Sequence, residues 1–120
     1  MILDGLSTLR EEFTARGWNR RATGAVLREL AVHVVLSVAG YIVFLTSDDF
    51  VVRWLGMLVS TYGTLGVVTN THTSTHNGTS DKRWVNDLFA YFGYPLFVNL
   101  SLTYWRHSHI SIHHTAPNVM

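Results

Sequence analysis

The sequence contains no cysteine, and this absence excludes several classes of protein at once. A disulfide framework, a zinc site with cysteine ligands and an iron–sulfur cluster all need cysteine sulfur. Any metal bound by this chain is therefore held without thiolate. Histidine, by contrast, occurs seven times in the 120 residues, and these imidazoles are the feature that needs an explanation.

Charged residues are also scarce. They make up 14% of the chain, whereas ordinary soluble domains carry roughly 25%. The formal net charge of +1 excludes bulk electrostatic attraction to nucleic acid, so no nucleic-acid partner is expected. Nine of the seventeen charged residues lie in the first 29 positions, which leaves long uncharged stretches behind them. The length allows a single domain at most, and the charge distribution predicts an integral membrane protein.

Two of the uncharged stretches predict transmembrane helices, over residues 30–47 and 54–71. The short link at Asp48 and Asp49 makes them a transmembrane helical hairpin. Gly56, Ser60 and Thr64 recur every fourth position, so this face of the second helix is expected to pack closely on the first. Residues 1–29 form an arginine-containing, partly helical, cytoplasmic or interfacial lead-in that breaks near Gly17. The positive-inside rule then places the N-terminus and the end of the second helix in the cytoplasm.

A third uncharged stretch, within residues 84–105, is predicted to be an interfacial or re-entrant helical segment. Histidine clusters lie on both sides of it, and a single crossing would separate them by the roughly 30 Å apolar core of the bilayer. Gly93, Pro95 and Asn99 interrupt the stretch, and its many aromatic residues suit a membrane boundary. The fold class predicted is thus an all-α membrane protein in which both clusters lie on the cytoplasmic side.

The spacing of the histidines indicates metal binding. His72 and His76 are four residues apart, so on a helix they share one face and can hold one metal ion. His109 and His113 repeat this spacing, and His114 extends the second cluster to a doublet. Imidazole suits iron, zinc, copper and nickel, so the residue type does not select the metal. His33 is interpreted as a structural residue, and His107 as an uncertain neighbour.

The motif HTSTH, followed after an aromatic stretch by YWRHSHISIHHTAPN, resembles the first two histidine boxes of the membrane fatty acid desaturase superfamily. The resemblance runs from about Leu30 to Met120. It implies a centre of two non-haem Fe ions (a di-iron site) whose ligands here are His72, His76, His109, His113 and His114. Many members carry Asp after the first histidine, where this chain has Thr73. The third box of the superfamily has no counterpart here.

This resemblance implies O2-dependent desaturation of fatty acyl chains, a reaction of lipid metabolism. The expected partners are a membrane lipid or fatty acyl substrate, O2, and an electron donor such as ferredoxin or cytochrome b5. Residues 1–120 are then a single partial fatty acid desaturase domain, with the histidine-box region at 72–120. The chain is expected to be the N-terminal part of a longer enzyme and inactive alone without the third box.

Alternatives remain open at this point. Carotenoid hydroxylases or ketolases, sterol-type oxidases and alkane hydroxylases use similar boxes, whereas a haem-binding membrane electron carrier would belong to another class. The aromatic segment 88–105 either lines a tunnel for the acyl chain or anchors the protein at the interface. Four residues are candidates to orient the ligating imidazoles: Asp81, Asn86, Asp87 and Asn118. Three cations are expected to reach lipid headgroups: Lys82, Arg83 and Arg106.

Overall fold

The computed structural model describes residues 2–116, with side chains from Gly5 onward, and Asn118 therefore lies outside the described residues. No strand occurs within this range. The elements in chain order are α1 (Ile2–Ala15), α2 (Thr23–Thr46), α3 (Phe50–Thr75), α4 (Arg83–Val98), α5 (Leu102–Trp105) and a π-helix (Arg106–His113). The predicted all-helical class is confirmed.

Helices α2 and α3 are long and apolar enough to cross a membrane. They contain 24 and 26 residues, with mean hydropathies of 1.9 and 1.3 over their most apolar windows. Only 17% of each window is buried, whereas a core helix of a soluble protein is mostly buried. Helix α2 begins seven residues before the predicted span of 30–47 and ends at Thr46, whereas α3 extends beyond the predicted span of 54–71 by four residues at each end. The link between them ends at Asp49, whose carboxylate accepts a hydrogen bond from the Val52 amide.

Small residues allow α2 and α3 to pack antiparallel at very short range. A Cβ atom at Gly56 would lie 2.8 Å from the Phe44 amide nitrogen and 2.9 Å from the Gly40 carbonyl oxygen. Ser37 joins the same seam: its hydroxyl pairs with that of Thr64 at 2.8 Å, and its carbonyl accepts from Ser60 at 3.0 Å. The face predicted from Gly56, Ser60 and Thr64 is therefore the face that contacts α2.

The stretch 84–105 is not one continuous helix. Helix α4 packs along α3 and contains Pro95, and it ends at Asn99, which adopts the left-handed conformation with φ of 53°. Asparagine tolerates this conformation better than most residues, and here it allows the chain to reverse. Ser101 then caps α5, which continues into the π-helix. The reversal carries the second histidine cluster back towards the first.

The N-terminal helix α1 ends at Ala15, and the chain turns at Gly17, whose φ of 71° suits glycine. This is close to the break predicted from the sequence. Beyond the turn, Arg21 pairs with Asp81 at 2.7 Å, and the Thr23 hydroxyl donates to the Thr79 carbonyl. These contacts attach the start of α2 to the loop that follows the first histidine cluster.

We predict that Gly63→Ala weakens the packing between α2 and α3. The added Cβ would lie 2.7 Å from both the His33 carbonyl oxygen and the Ser37 Cα atom, so the helices must separate. Overpacking of this kind costs about 1–3 kcal/mol in the free energy of unfolding. Denaturant titration in detergent micelles, followed by circular dichroism, measures the loss.

The matched control is Gly24→Ala, because nothing lies within 4 Å of a Cβ at that position. Alanine is the better helix former, so this variant should be neutral or slightly more stable than the wild type. Equal stabilities for the two variants would contradict close packing at Gly63.

Candidate metal centre

The first histidine cluster lies at the C-terminal end of α3. His72 is in the last turn of the helix and His76 caps it, so the two imidazoles lie one above the other with ring centroids 4.8 Å apart. This is the arrangement that the four-residue spacing predicts. His72 is half-buried, and His76 is exposed at the helix end.

The second cluster is carried by the π-helix, which the sequence did not predict. Its wider turn is closed by a hydrogen bond from the His114 amide to the His109 carbonyl, five residues earlier. As a result, His113 and His114, which follow His109 by four and five residues, both lie close to it. His113 stacks on His109 at 5.3 Å, and the Nε2 atoms of His109 and His114 are 3.2 Å apart. In an α-helix His114 would point well away from His109, because five residues rotate the side chain by about 140°.

The two clusters meet at one point. One ligand nitrogen from each of His72, His76 and His109 lies within 4.8 Å of the other two. His114 borders this group, with its ring 5.0 Å from that of His76. His113 stacks on His109, with ring centroids 5.3 Å apart. All five predicted ligands thus belong to one group of contacting imidazoles, and three of them form its centre.

The donor set fits a transition-metal ion. Nitrogen ligands lie about 2.0–2.1 Å from such an ion, so two nitrogens on one ion are at most about 4.2 Å apart. The separation of 3.2 Å between His109 and His114 already satisfies this limit. The ligand nitrogens of His72, His76 and His109 are separated by up to 4.8 Å, so side-chain shifts of less than about 1 Å would bring all three within reach of one ion.

The environment favours the neutral imidazole that a metal requires. Desolvation lowers the pKa of His109, and the neighbouring imidazoles of His72, His114, His113 and His76 lower it further, in that order. Neutral imidazole carries the free lone pair that binds a metal ion. Crowding these histidines together therefore reduces the competition from protons at the site.

Two aromatic residues, Trp105 and Tyr94, contact the imidazoles of His109 and His72. Trp105 lies almost parallel to His109, with centroids 4.4 Å apart and planes inclined by 14°. The Tyr94 hydroxyl is 3.1 Å from Nδ1 of His72. Burial raises the pKa of Tyr94 to about 12, so this side chain is a neutral phenol. Sequence reasoning assigned both residues to a membrane boundary, because no local spacing links them to the histidines.

The polar residues predicted to orient the imidazoles have other partners. The Asn86 side chain accepts hydrogen bonds from the Thr79 and Ser80 amides. Asp81 pairs with Arg21, and Asp87 pairs with Arg106 at 2.5 Å. Within residues 5–116, none of the three bonds to an imidazole, so these predictions were wrong.

Arg106 corrects a second prediction. It was expected to reach lipid headgroups, but it is only 29% exposed and its guanidinium binds Asp87. The ion pair joins the first residue of the π-helix to helix α4 and so holds the second cluster in place. Arg83 is 85% exposed and also lies near Asp87, at 3.8 Å.

The remaining two histidines lie apart from this group. His33 packs against Gly66 of α3, and its Nδ1 donates to the Glu29 carbonyl at 2.8 Å. This agrees with the structural role predicted for His33. His107 is exposed and lines a separate polar cavity beside Arg83 and Arg106.

Comparisons with protein-family models, curated protein sequences and solved structures find no match.

We predict that Asp87→Ala weakens metal binding without removing a ligand. The substitution leaves the Arg106 cation without its carboxylate and releases the π-helix from α4, so His109 is held less firmly. We expect the affinity for Zn²⁺ or Co²⁺ to fall about 10-fold, as is typical when support for a metal site is lost. Competition with a chromophoric chelator measures this.

Asp81→Ala is the matched control, because it also breaks an aspartate–arginine pair, but one between the loop and Arg21. It should keep the wild-type affinity. An equal loss in both variants would argue against a specific role of the Asp87–Arg106 pair.

Proposed function

We propose that this chain supplies five histidine ligands to a non-haem di-iron centre at a membrane boundary and belongs to an O2-dependent oxidoreductase that desaturates fatty acyl chains. The convergence of His72, His76 and His109 from distant parts of the sequence is the observation that carries the proposal. The resemblance of the two motifs to the histidine boxes of membrane desaturases supplies the class of reaction.

Five residues are the proposed iron ligands, namely His72, His76, His109, His113 and His114. An iron centre here would supply the activation of O2 that removal of hydrogen from an unreactive methylene group requires. The protein contributes neutral imidazoles, which the crowding described above favours. His72 and His109 are half-buried, whereas His76, His113 and His114 are exposed, so one side of the centre is open to solvent.

In this proposal α2 and α3 cross the bilayer as a hairpin. Their outward faces consist of apolar side chains that are more than half exposed, among them Val35, Ile42, Leu58 and Leu65. Such residues are suited to contact with lipid tails. By the positive-inside rule, the arginines before α2 favour a cytoplasmic N-terminus, and in this proposal the antiparallel pair returns the histidine end of α3 to the same side.

Helix α4, α5 and the turn between them form the proposed re-entrant segment. The chain runs along α3 and reverses at Asn99, so both of its ends lie at the histidine end of the molecule. A complete crossing is not needed to connect the clusters. Phe92, Leu96 and Phe97 of α4 face the paired helices across a cavity.

A groove between these elements offers a location for the acyl chain. A cavity of about 700 Å³ is lined by Val34, Val38 and Tyr41 on α2, and by Phe92, Leu96 and Phe97 on the other side. Its walls are mainly apolar, as a hydrocarbon ligand requires. We propose that segment 88–105 lines the substrate path in this way. An electron donor such as ferredoxin or cytochrome b5 would bind near Lys82 and Arg83, two exposed cations that follow the first cluster along the chain.

The test of the metal centre is iron loading of the purified chain in detergent under anaerobic conditions. The wild type should retain iron after gel filtration, and His72→Ala or His109→Ala should lose most of it, because each removes a central ligand. His33→Ala is the control, since its imidazole lies apart from the site. Iron contents that are the same in all four proteins would refute the ligand assignment.

Two further measurements separate the alternatives. Haem gives a strong Soret absorption band, which a non-haem iron site lacks, so a Soret band in the purified protein would favour a haem-binding electron carrier. Extracted lipids from cells that express the chain, within any longer protein that contains it, should contain additional acyl double bonds. Hydroxylated carotenoids or alkanes instead would assign the same centre to a related di-iron hydroxylase.

A further inference from the structure

Tyr94 is the largest fully buried side chain among the described residues, and it lies beside the first histidine cluster. It is 1% exposed, and its hydroxyl lies 3.1 Å from Nδ1 of His72. Because the indole of Trp105 packs against its ring at 4.9 Å, the phenol has little freedom to turn away. A buried hydroxyl needs a hydrogen-bond partner, and this imidazole is the partner that the structure provides.

A close approach between α4 and α3 brings the hydroxyl to this position. A Cβ atom at Gly93 would lie 2.6 Å from Cβ of Thr71, so only glycine permits the observed distance between the helices. Thr71 immediately precedes His72, and Gly93 immediately precedes Tyr94. The contact of Gly93 with Thr71 therefore brings Tyr94 close to His72.

The two ring nitrogens of a neutral His72 have different roles, because only one of them carries a hydrogen. A neutral imidazole has one N–H and one lone pair, and a metal ion needs the lone pair. If Nδ1 donates its hydrogen to the Tyr94 oxygen, Nε2 keeps the lone pair. In histidine metal sites the second ring nitrogen is almost always held by such a hydrogen bond.

We propose that Tyr94 is the positioning residue of the metal centre: its hydroxyl oxygen accepts the Nδ1 hydrogen of His72 and so directs Nε2 to the metal ion. This inference rests on the proposed metal site but not on the proposed substrate. In this proposal the phenol oxygen orients the imidazole, a role that the sequence analysis predicted for carboxylate and amide side chains.

Trp105 extends the same support to the second cluster. It contacts Tyr94 on one side and stacks on His109 on the other. Its indole Nε1 is buried with no hydrogen-bond partner among residues 5–116, so ring contacts rather than a hydrogen bond hold it in place. Tyr94 and Trp105 together thus fix one imidazole from each cluster.

The test is Tyr94→Phe, which keeps the aromatic ring and removes only the hydroxyl. Zn²⁺ affinity, measured by chelator competition, should fall about 10- to 100-fold, the usual effect of losing a hydrogen bond to a ligating imidazole. Tyr91→Phe is the matched control on the same helix, because Tyr91 is 52% exposed, and it should bind Zn²⁺ as the wild type does. An unchanged affinity in Tyr94→Phe, with wild-type helicity by circular dichroism, would overturn the inference.

A second readout depends on the hydrogen bond and not on the metal. In the metal-free protein, ¹⁵N NMR of the His72 ring should report hydrogen on Nδ1, and in Tyr94→Phe it should move to Nε2, because Nδ1–H would face an apolar ring. The same tautomer in both proteins would overturn the inference. A wild-type chain that binds no metal, yet shows this tautomer change, would refute the proposed metal centre and leave the Tyr94–His72 hydrogen bond supported.

Discussion

Helix α4 leads away from the first histidine cluster, and the second cluster returns to it only because the chain reverses at Asn99. The meeting of the two clusters depends on this return. The close approach at Gly93 sets the separation of α3 and α4, and the Asp87–Arg106 pair ties the start of the π-helix back to α4. The wider turn of the π-helix then directs three imidazoles to one side. Without the reversal, the two clusters would lie at opposite ends of the apolar segment.

The parts of this arrangement that follow from local rules were predictable from the sequence. Long uncharged stretches gave the two apolar helices, and a four-residue spacing placed His72 and His76 on one face. The small residues Gly56 and Ser60 indicated where the helices touch. In each case the property depends on neighbours along one helix, which a linear pattern records.

Other parts depend on contacts between distant segments, and no local pattern records them. The π-helix begins at Arg106, which pairs with Asp87 of α4, and its wider turn is the reason why α-helical spacing misplaces His114. Tyr94 reaches His72 through the contact of Gly93 with Thr71, which only the packed helices reveal. Conversely, Asn86 lies near the histidines in the sequence and was predicted to orient an imidazole. Its side-chain oxygen instead accepts hydrogen bonds from the loop amides of Thr79 and Ser80.

The central claim is that imidazoles from both clusters bind the same metal centre. X-ray absorption spectroscopy of the Zn²⁺-loaded chain tests it most directly, because imidazole ligands give a characteristic outer-shell scattering pattern. The account predicts several nitrogen ligands at about 2.0–2.1 Å, with fewer imidazoles when either His76 or His109 is replaced by alanine. A ligand shell composed of oxygen, or one that does not change when His109 is replaced, would contradict the account.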